Sequence, residues 1–146
     1  MTIRTIVEGD RIEWRRLRQS LWPGSDHDDE TRAYFANRLT VPRVFVAEIE
    51  GRLVGFLELD YRKYAPGCTS SPVAFIEGWH VEPGFQGQGI GRALMAAAWA
   101  HALAAGQDEI ASDTEVDNVG GVGAHLALGF EEIERVVCFR RSLRDS

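Results

Sequence analysis

The chain has 146 residues, 45% of them hydrophobic, which is enough for one domain with a buried core. Its 16 Lys and Arg stand against 22 Asp and Glu, a formal charge of −6 that argues against a nucleic-acid partner and favours a cationic one. Cys68 and Cys138 lie far apart, with no Cys/His cluster, so neither a zinc site nor a disulfide framework is expected and no metal is assigned.

The first residues enter a strand-like pattern directly, and no segment approaches the ~18 apolar residues of a membrane span. A cytoplasmic protein with no membrane association is the expectation. Residues 3–7 read as a short strand. Asp10 reads as the N-cap of a helix on which Trp14, Leu17 and Leu21 share a face and which Pro23-Gly24 ends. A second helix is expected from the acidic cluster Asp26 to Glu30, where negative charge suits the positive helix end, to about Leu39.

Residues 43–49 and 53–61 read as strands joined by a turn at Glu50-Gly51-Arg52. A Pro- and Gly-containing loop follows over 62–72, then an extended apolar run over 73–81. Ile90 to Ala105 is alanine-rich with helical spacing, and Gly106 sits where a C′ glycine belongs. A short strand at 109–113, a helix at 119–128 closed by Gly129, and one or two strands between Phe130 and Arg141 complete the pattern. The order β-α-α-β-β-β-α-β-α-β-β predicts an α/β (α+β) fold in a single domain over 1–146.

Between the apolar run and the alanine-rich helix, Gly84, Gly87, Gly89 and Gly91 fall within eight residues. Glycine-rich backbone opening a helix presents unpaired N–H groups and a positive dipole end, which suits an anion such as phosphate. The spacing fits neither a Walker A loop, since Arg92-Ala93 follows Gly91, nor a dinucleotide fingerprint. Gln86-x-x-Gly89-x-Gly91 after Val81-x-Pro83, with Asn118 and Leu128-Gly129-Phe130 downstream, resembles the GNAT superfamily of acetyl-CoA-dependent N-acetyltransferases. That resemblance implies a mixed sheet of six to seven strands flanked by about four helices, with acetyl-CoA as acetyl donor.

It further implies that Gln86, Gly87, Gln88, Gly89, Ile90, Gly91 and Arg92 carry the CoA phosphates, that backbone groups of Trp79, His80 and Val81 meet the thioester, and that Asn118 belongs to the cofactor site. Leu21-Trp22, Ser71-Pro72-Val73-x-Phe75-x-Glu77-Gly78, Ala111-Ser112-Asp113 and the block Gly129 to Val137 are similar to one branch, the bacterial aminoglycoside 6′-N-acetyltransferases. In that branch Trp22 and Tyr64 would line the sugar site, and Glu77 and Asp113 would bind substrate amines or deprotonate the reacting one. The branch also implies a homodimer that exchanges C-terminal segments.

Glu77 stands out on its own, because a carboxylate in the apolar stretch Phe75-Ile76-Glu77-Gly78-Trp79 is costly unless it faces a polar cleft or a partner. It is the candidate general base, acting directly or through water. Trp22 could instead cap the core at the helix end, and Asp113 could be ordinary solvated loop. Where the family often has a Tyr proton donor this chain has His125, which could donate a proton, orient the sulfur, or simply pack. Three functions stay open: acetylation of an aminoglycoside, acetylation of another small cationic amine, and acyl-CoA binding without turnover.

Overall fold

A computed structural model describes residues 1–36 and 43–144 of the chain, which divides into two compact units, Met1–Asp113 and Thr114–Ser146. In the first unit five strands form one sheet in sequence order: β1 (Thr2–Thr5), β2 (Arg43–Ile49), β3 (Arg52–Arg62), β4 (Val73–Val81) and β5 (Ile110–Ser112). The first three pairings are antiparallel and β4 with β5 is parallel, so the sheet is mixed as expected. The turn between β2 and β3 puts Glu50 at φ 49° and Gly51 at φ 78°, the left-handed pair that a tight hairpin needs.

Helices α1 (Arg11–Leu21) and α2 (His27–Phe35) cover one face of the sheet. Trp14 and Leu17 of α1 are fully buried against Val44, Val46, Leu53 and Phe56, and Tyr34 and Phe35 of α2 meet the Trp14 ring edge-on. Truncating a side chain like Trp14 in such a setting costs about 3–5 kcal/mol. Side chains alternate along a strand, so the neighbours of Phe56 point the other way, toward α3 (Ile90–Ala104). A Cβ on Gly55 would lie 3.3 Å from Leu94, and Ile90, Leu94, Met95, Ala98 and Ala102 form the buried stripe of that helix. Gly106, at φ 85°, stands just past its end.

β4 is out of step with β3 by one residue. Asp60 faces Phe75 and Leu59 faces Ile76, but Glu58 faces Gly78, so Glu77 is an extra residue in a β-bulge. Glu77 and Gly78 therefore both turn toward the face covered by α1 and α2.

Three local expectations differ from what is found. Asp10 precedes α1 with helical backbone and caps nothing there: its carboxylate accepts from Val7 N–H at 2.9 Å and binds Arg4 at 2.7 and 2.9 Å, tying β1 to the turn before the helix. Arg4 holds Asp10 below the usual carboxylate range. The second helix ends at Phe35, and its expected extension to Leu39 lies, beyond Ala36, outside the described residues. The sheet has five strands rather than six or seven, because residues 130–142 form no strand. In the second unit α4 (Val119–Ala127) is followed by this extended, exposed segment. Among the described residues no helix is long and apolar enough to cross a membrane, and no group of three or more His, Cys, Asp or Glu side chains is placed to hold a metal ion.

Candidate active site

The edge of the α1/α2 face holds a cleft of about 440 Å³, lined by Trp22, His27, Glu30, Glu58, Asp60 and Glu77 together with Arg18. That volume lies within the range of small-molecule sites. Acid predominates, and a flat indole lies among the acids.

The back of the cleft is a buried ion pair. Arg18 sits between the rings of Trp14 and Trp22, 5.4 and 5.0 Å from their centres, with its side chain 7% exposed. Its Nη1 donates to both oxygens of Glu58 at 3.0 and 2.8 Å, and its Nη2 pairs with Glu30. Arg18 Nε donates to His27 Nδ1 at 3.1 Å, which places the ring proton on Nε2, where it is given to the Trp22 carbonyl at 2.8 Å. Burial pushes the Glu58 carboxyl up to about 7, against the pull of Arg18 and of Trp14 Nε1, which donates to it at 3.1 Å.

Trp22 rests on the bare backbone of Gly78: a Cβ there would stand 2.5 Å from Cη2 of the indole. The next residue back is Glu77. The cleft thus brings Trp22 and Glu77 together, two of the residues picked out in the sequence. Glu77 is bound by Arg62, whose Nε and Nη2 donate to Oε2 and Oε1 at 2.9 and 2.7 Å. The Glu77 pair foremost, and then the charges of Asp113 and Asp60, raise the Arg62 guanidinium further above its ordinary range. Asp113 follows Ser112, which pairs with Ile76, so it stands near this group without lining the cleft. Tyr64 does not line it either and is exposed on the 63–72 loop. That loop is held by Glu109, which accepts from the Thr69 and Ser70 amides at 2.9 Å and from the Ser70 hydroxyl at 2.7 Å, bonds that bring its carboxyl down to about 2.

β5 pairs only with Ala74, Phe75 and Ile76, so from Glu77 to Val81 the β5 side of β4 has no strand partner among the described residues. Backbone groups of Trp79, His80 and Val81 lie along this stretch, where an extended chain carrying a carbonyl could bond to them. His80 itself packs on Phe56, and burial lowers its pKa, keeping the ring neutral.

Beyond β4, Pro83–Phe85 makes one 3-10 turn anchored by Glu82, whose amide bonds the Val54 carbonyl at 2.9 Å. Burial acts to raise the Glu82 carboxyl, but Arg16 and Arg52 bind it and bring it below its usual value. Gln86 Nε2 donates to the Val81 carbonyl at 3.0 Å. Gly87 and Gly89 have φ of 79° and 82°, and Gly89 is the N-cap of α3 with no side-chain cap. The first N–H groups of the helix, at Ile90, Gly91 and Arg92, have no carbonyl of their own helix to bond. Trp79 Nε1 fastens this turn to β4 through the Gly91 carbonyl at 3.0 Å. The residues present therefore fit a phosphate group.

In the second unit Asn118 caps α4, its Oδ1 accepting from Gly121 N–H at 3.0 Å and its Nδ2 donating to Thr114 at 3.0 Å. His125 is half-buried, with Nδ1 donating to the Gly121 carbonyl at 2.7 Å and its ring against the edge of Phe130. With the Nδ1 proton committed to that carbonyl, Nε2 could donate only from the doubly protonated ring.

Arg18, Glu30, Glu58, Asp60 and Arg62 were not singled out in the sequence. Glu58 had the same signal as Glu77, a carboxylate between apolar neighbours, Leu57 and Leu59. Arg18 and Arg62 had none, because their partners are 40 and 15 residues away.

Residues 11–130 match the Acetyltransferase (GNAT) family. The chain is 45% identical to the aminoglycoside N(6′)-acetyltransferase type 1 of Stenotrophomonas maltophilia, over 99% of this chain and 95% of that protein. It is 38% identical to the protein of that name from Klebsiella aerogenes, over 97% and 96%. Among solved structures it is similar to AAC(6′)-Iy in complex with the bisubstrate analog CoA-S-monomethyl-acetylneamine, with 38% identity, 97% of each chain covered and a TM-score of 0.87. AAC(6′)-Iy in complex with CoA gives 37% identity over 96% of this chain and 93% of that one, with a TM-score of 0.88. A mixed sheet, an uncapped glycine-lined helix start and relatives of this identity along nearly the whole length lead to one conclusion: the chain belongs to the GNAT family of acetyltransferases.

Proposed function

We propose that this protein transfers the acetyl group of acetyl-CoA to the 6′-amine of aminoglycoside antibiotics, by direct attack within a ternary complex, and so confers resistance. The observation that carries the reading is the position of Glu77, at once on the wall of an acidic, indole-lined cleft and at the start of the β4 edge that β5 leaves open. An aminoglycoside carries several ammonium groups on stacked rings, which call for carboxylates and a flat aromatic face.

Acetyl-CoA supplies an acyl group activated as a thioester. The amides from Gly87 to Arg92 would hold its phosphates, and backbone groups of Trp79 to Val81 would bond its extended arm and polarise the carbonyl. Glu77 takes the proton from the attacking amine, directly or through water, and Asp113 helps to bind the cationic substrate. Trp22 stacks on a sugar ring, with Tyr64 as a further contact from its loop. In the second unit Asn118 belongs to the cofactor site and His125 is the candidate proton donor to the leaving sulfur. Neither free cysteine is needed as a nucleophile, since both substrates are bound together.

The whole chain acts as one acetyltransferase domain, in the cytoplasm, as a homodimer. The exposure of Ile133, Val136, Val137 and Phe139 in the unpaired segment after α4 supports the dimer, because such apolar residues normally find a cover. Light scattering checks it: a monomer at micromolar concentration overturns this part.

Thiol release from acetyl-CoA with tobramycin or kanamycin, with NMR assignment of the product, tests the main reading. Regioselective 6′-acetylation supports it. Faster turnover with spermidine or a peptide amine moves the protein to another acceptor class. Acetyl-CoA binding without turnover on any amine would leave a non-catalytic binding module.

A further inference from the structure

β3 ends at Arg62, whose pairing with Val73 lays its side chain over Phe75, two residues short of Glu77. The guanidinium carbon is 3.5 Å from the centre of the Phe75 ring, while Nε and Nη2 take one oxygen each of Glu77. An aromatic face under a cation, with a carboxylate at its rim, is an arrangement that recognises ammonium groups. Here the chain fills it with a cation of its own.

We propose that Arg62 is the resident counter-ion of the acceptor site: it holds Glu77 in the free protein and yields it to an incoming ammonium group by turning toward Asp60 and Asp113. The inference rests on the reading of Glu77 as the carboxylate that meets the reacting amine.

Exposure makes the exchange feasible. The Arg62 and Glu77 side chains are 43% and 25% exposed, so water screens the pair and its partners can be replaced at low cost. Asp60 lies two residues back on the same face of β3, opposite Phe75, and Asp113 follows the end of β5 beside Ile76, so the displaced guanidinium stays among carboxylates. Arg18 is the opposite case, closed between two indoles and tied to Glu58, Glu30 and His27. Charge is conserved in the exchange: one ammonium replaces one guanidinium at Glu77. Both Glu77 oxygens then face the amine whose proton must leave.

Two consequences follow for selectivity. Affinity for every cationic acceptor is lowered by the contest with Arg62, because the binding-competent arrangement is only partly populated. A neutral acceptor of the same shape lacks the charge to open the pair.

The test is calorimetric titration of tobramycin into the purified protein and its Arg62→Met, Lys63→Met, Glu77→Gln and Arg62→Met/Glu77→Gln variants, with thermal melts and steady-state kinetics on the same samples. Methionine keeps an apolar stem over Phe75 and removes the charge; Arg62→Gln replaces it if the melt shows a folding defect. The expected result is about fivefold tighter binding in Arg62→Met, as for release of a screened ion pair, no change in Lys63→Met, and no further gain from Arg62→Met in the Glu77→Gln background. Unchanged or weaker binding in folded Arg62→Met overturns the inference, as does equal tightening in Lys63→Met, which would mark a general charge effect. Because binding is read without turnover, the two claims separate: full turnover in Glu77→Gln removes the reading of Glu77 as base, whereas failed tightening with turnover still dependent on Glu77 removes the role of Arg62 alone.

Discussion

Trp22 lies so close over Gly78 that the smallest side chain would not fit between them: a Cβ at residue 78 would meet Cη2 at 2.5 Å and Cζ2 at 3.0 Å. The indole is pressed from behind by Arg18 and stacked on His27, so it has little room to retreat. Gly78→Ala is therefore expected to displace the platform, raising KM for the aminoglycoside about tenfold and more than KM for acetyl-CoA. Overpacking of this kind costs about 1–3 kcal/mol of stability. Initial rates with each substrate varied in turn, beside a thermal melt, check both.

Glu77→Gln keeps the size of the side chain and removes the proposed base. General-base catalysis is worth about 10²–10⁴ in rate, so kcat is expected to fall by that range while acetyl-CoA binding stays as it was. Asp113→Asn, whose carboxylate lies outside the cleft, is expected to change mainly KM for the aminoglycoside. Thiol-release assays read both variants.

Glu58 gives stability a pH dependence with a definite sign. Burial raises its carboxyl from an ordinary 4.5 to about 7, so between those values the folded protein holds a proton that the unfolded chain releases. Stability from this group is complete below about pH 4.5 and is lost as pH rises toward 7. In Glu58→Gln that downward slope is expected to disappear. Denaturant midpoints at pH 5 and pH 7.5 for the two proteins check it, and an unchanged slope would show that Arg18 keeps Glu58 charged throughout.

At Gly89 the space is open, with nothing within 4 Å of a built Cβ, but φ is 82°. Gly89→Ala is therefore a conformational test. A side chain in the left-handed region costs about 1–2 kcal/mol, and relaxing it would swing the first amides of α3. KM for acetyl-CoA is expected to rise several-fold with KM for the aminoglycoside unchanged, as separate titrations of the two substrates would show.

Much of the first unit was legible in the chain because its signals are local. Alternation announced the strands, Glu50-Gly51 the hairpin, and the glycines after Val81 the helix start. Glu77 declared itself by its apolar neighbours. The ion pair of Arg18 with Glu58 and that of Arg62 with Glu77 were hidden, since a long cation in a sequence does not say which acid it will reach. Asp10 misled for a related reason: as a helix-start residue it matched a cap, yet Arg4 and the Val7 amide compete for the same oxygens and win. The apolar residues Ile133 to Phe139 looked like strands because a pattern shows which sides of a chain are oily, but a strand also needs a neighbour with open hydrogen bonds.

The bulge in β4 sets the phase of everything after it. Were these residues to run through as a regular strand with Gly78 kept, the alternation would shift: Trp79 would turn into the cleft, His80 would point toward α3, and Gly91 would lose the indole that fastens its carbonyl. One surplus residue thus keeps the acid and its bare neighbour on one side of the sheet while the next side chain fastens the glycine turn on the other. Straightening the bulge, unlike a change in the 63–72 loop, would pull the acidic cleft and the glycine turn out of step without altering a single residue of either.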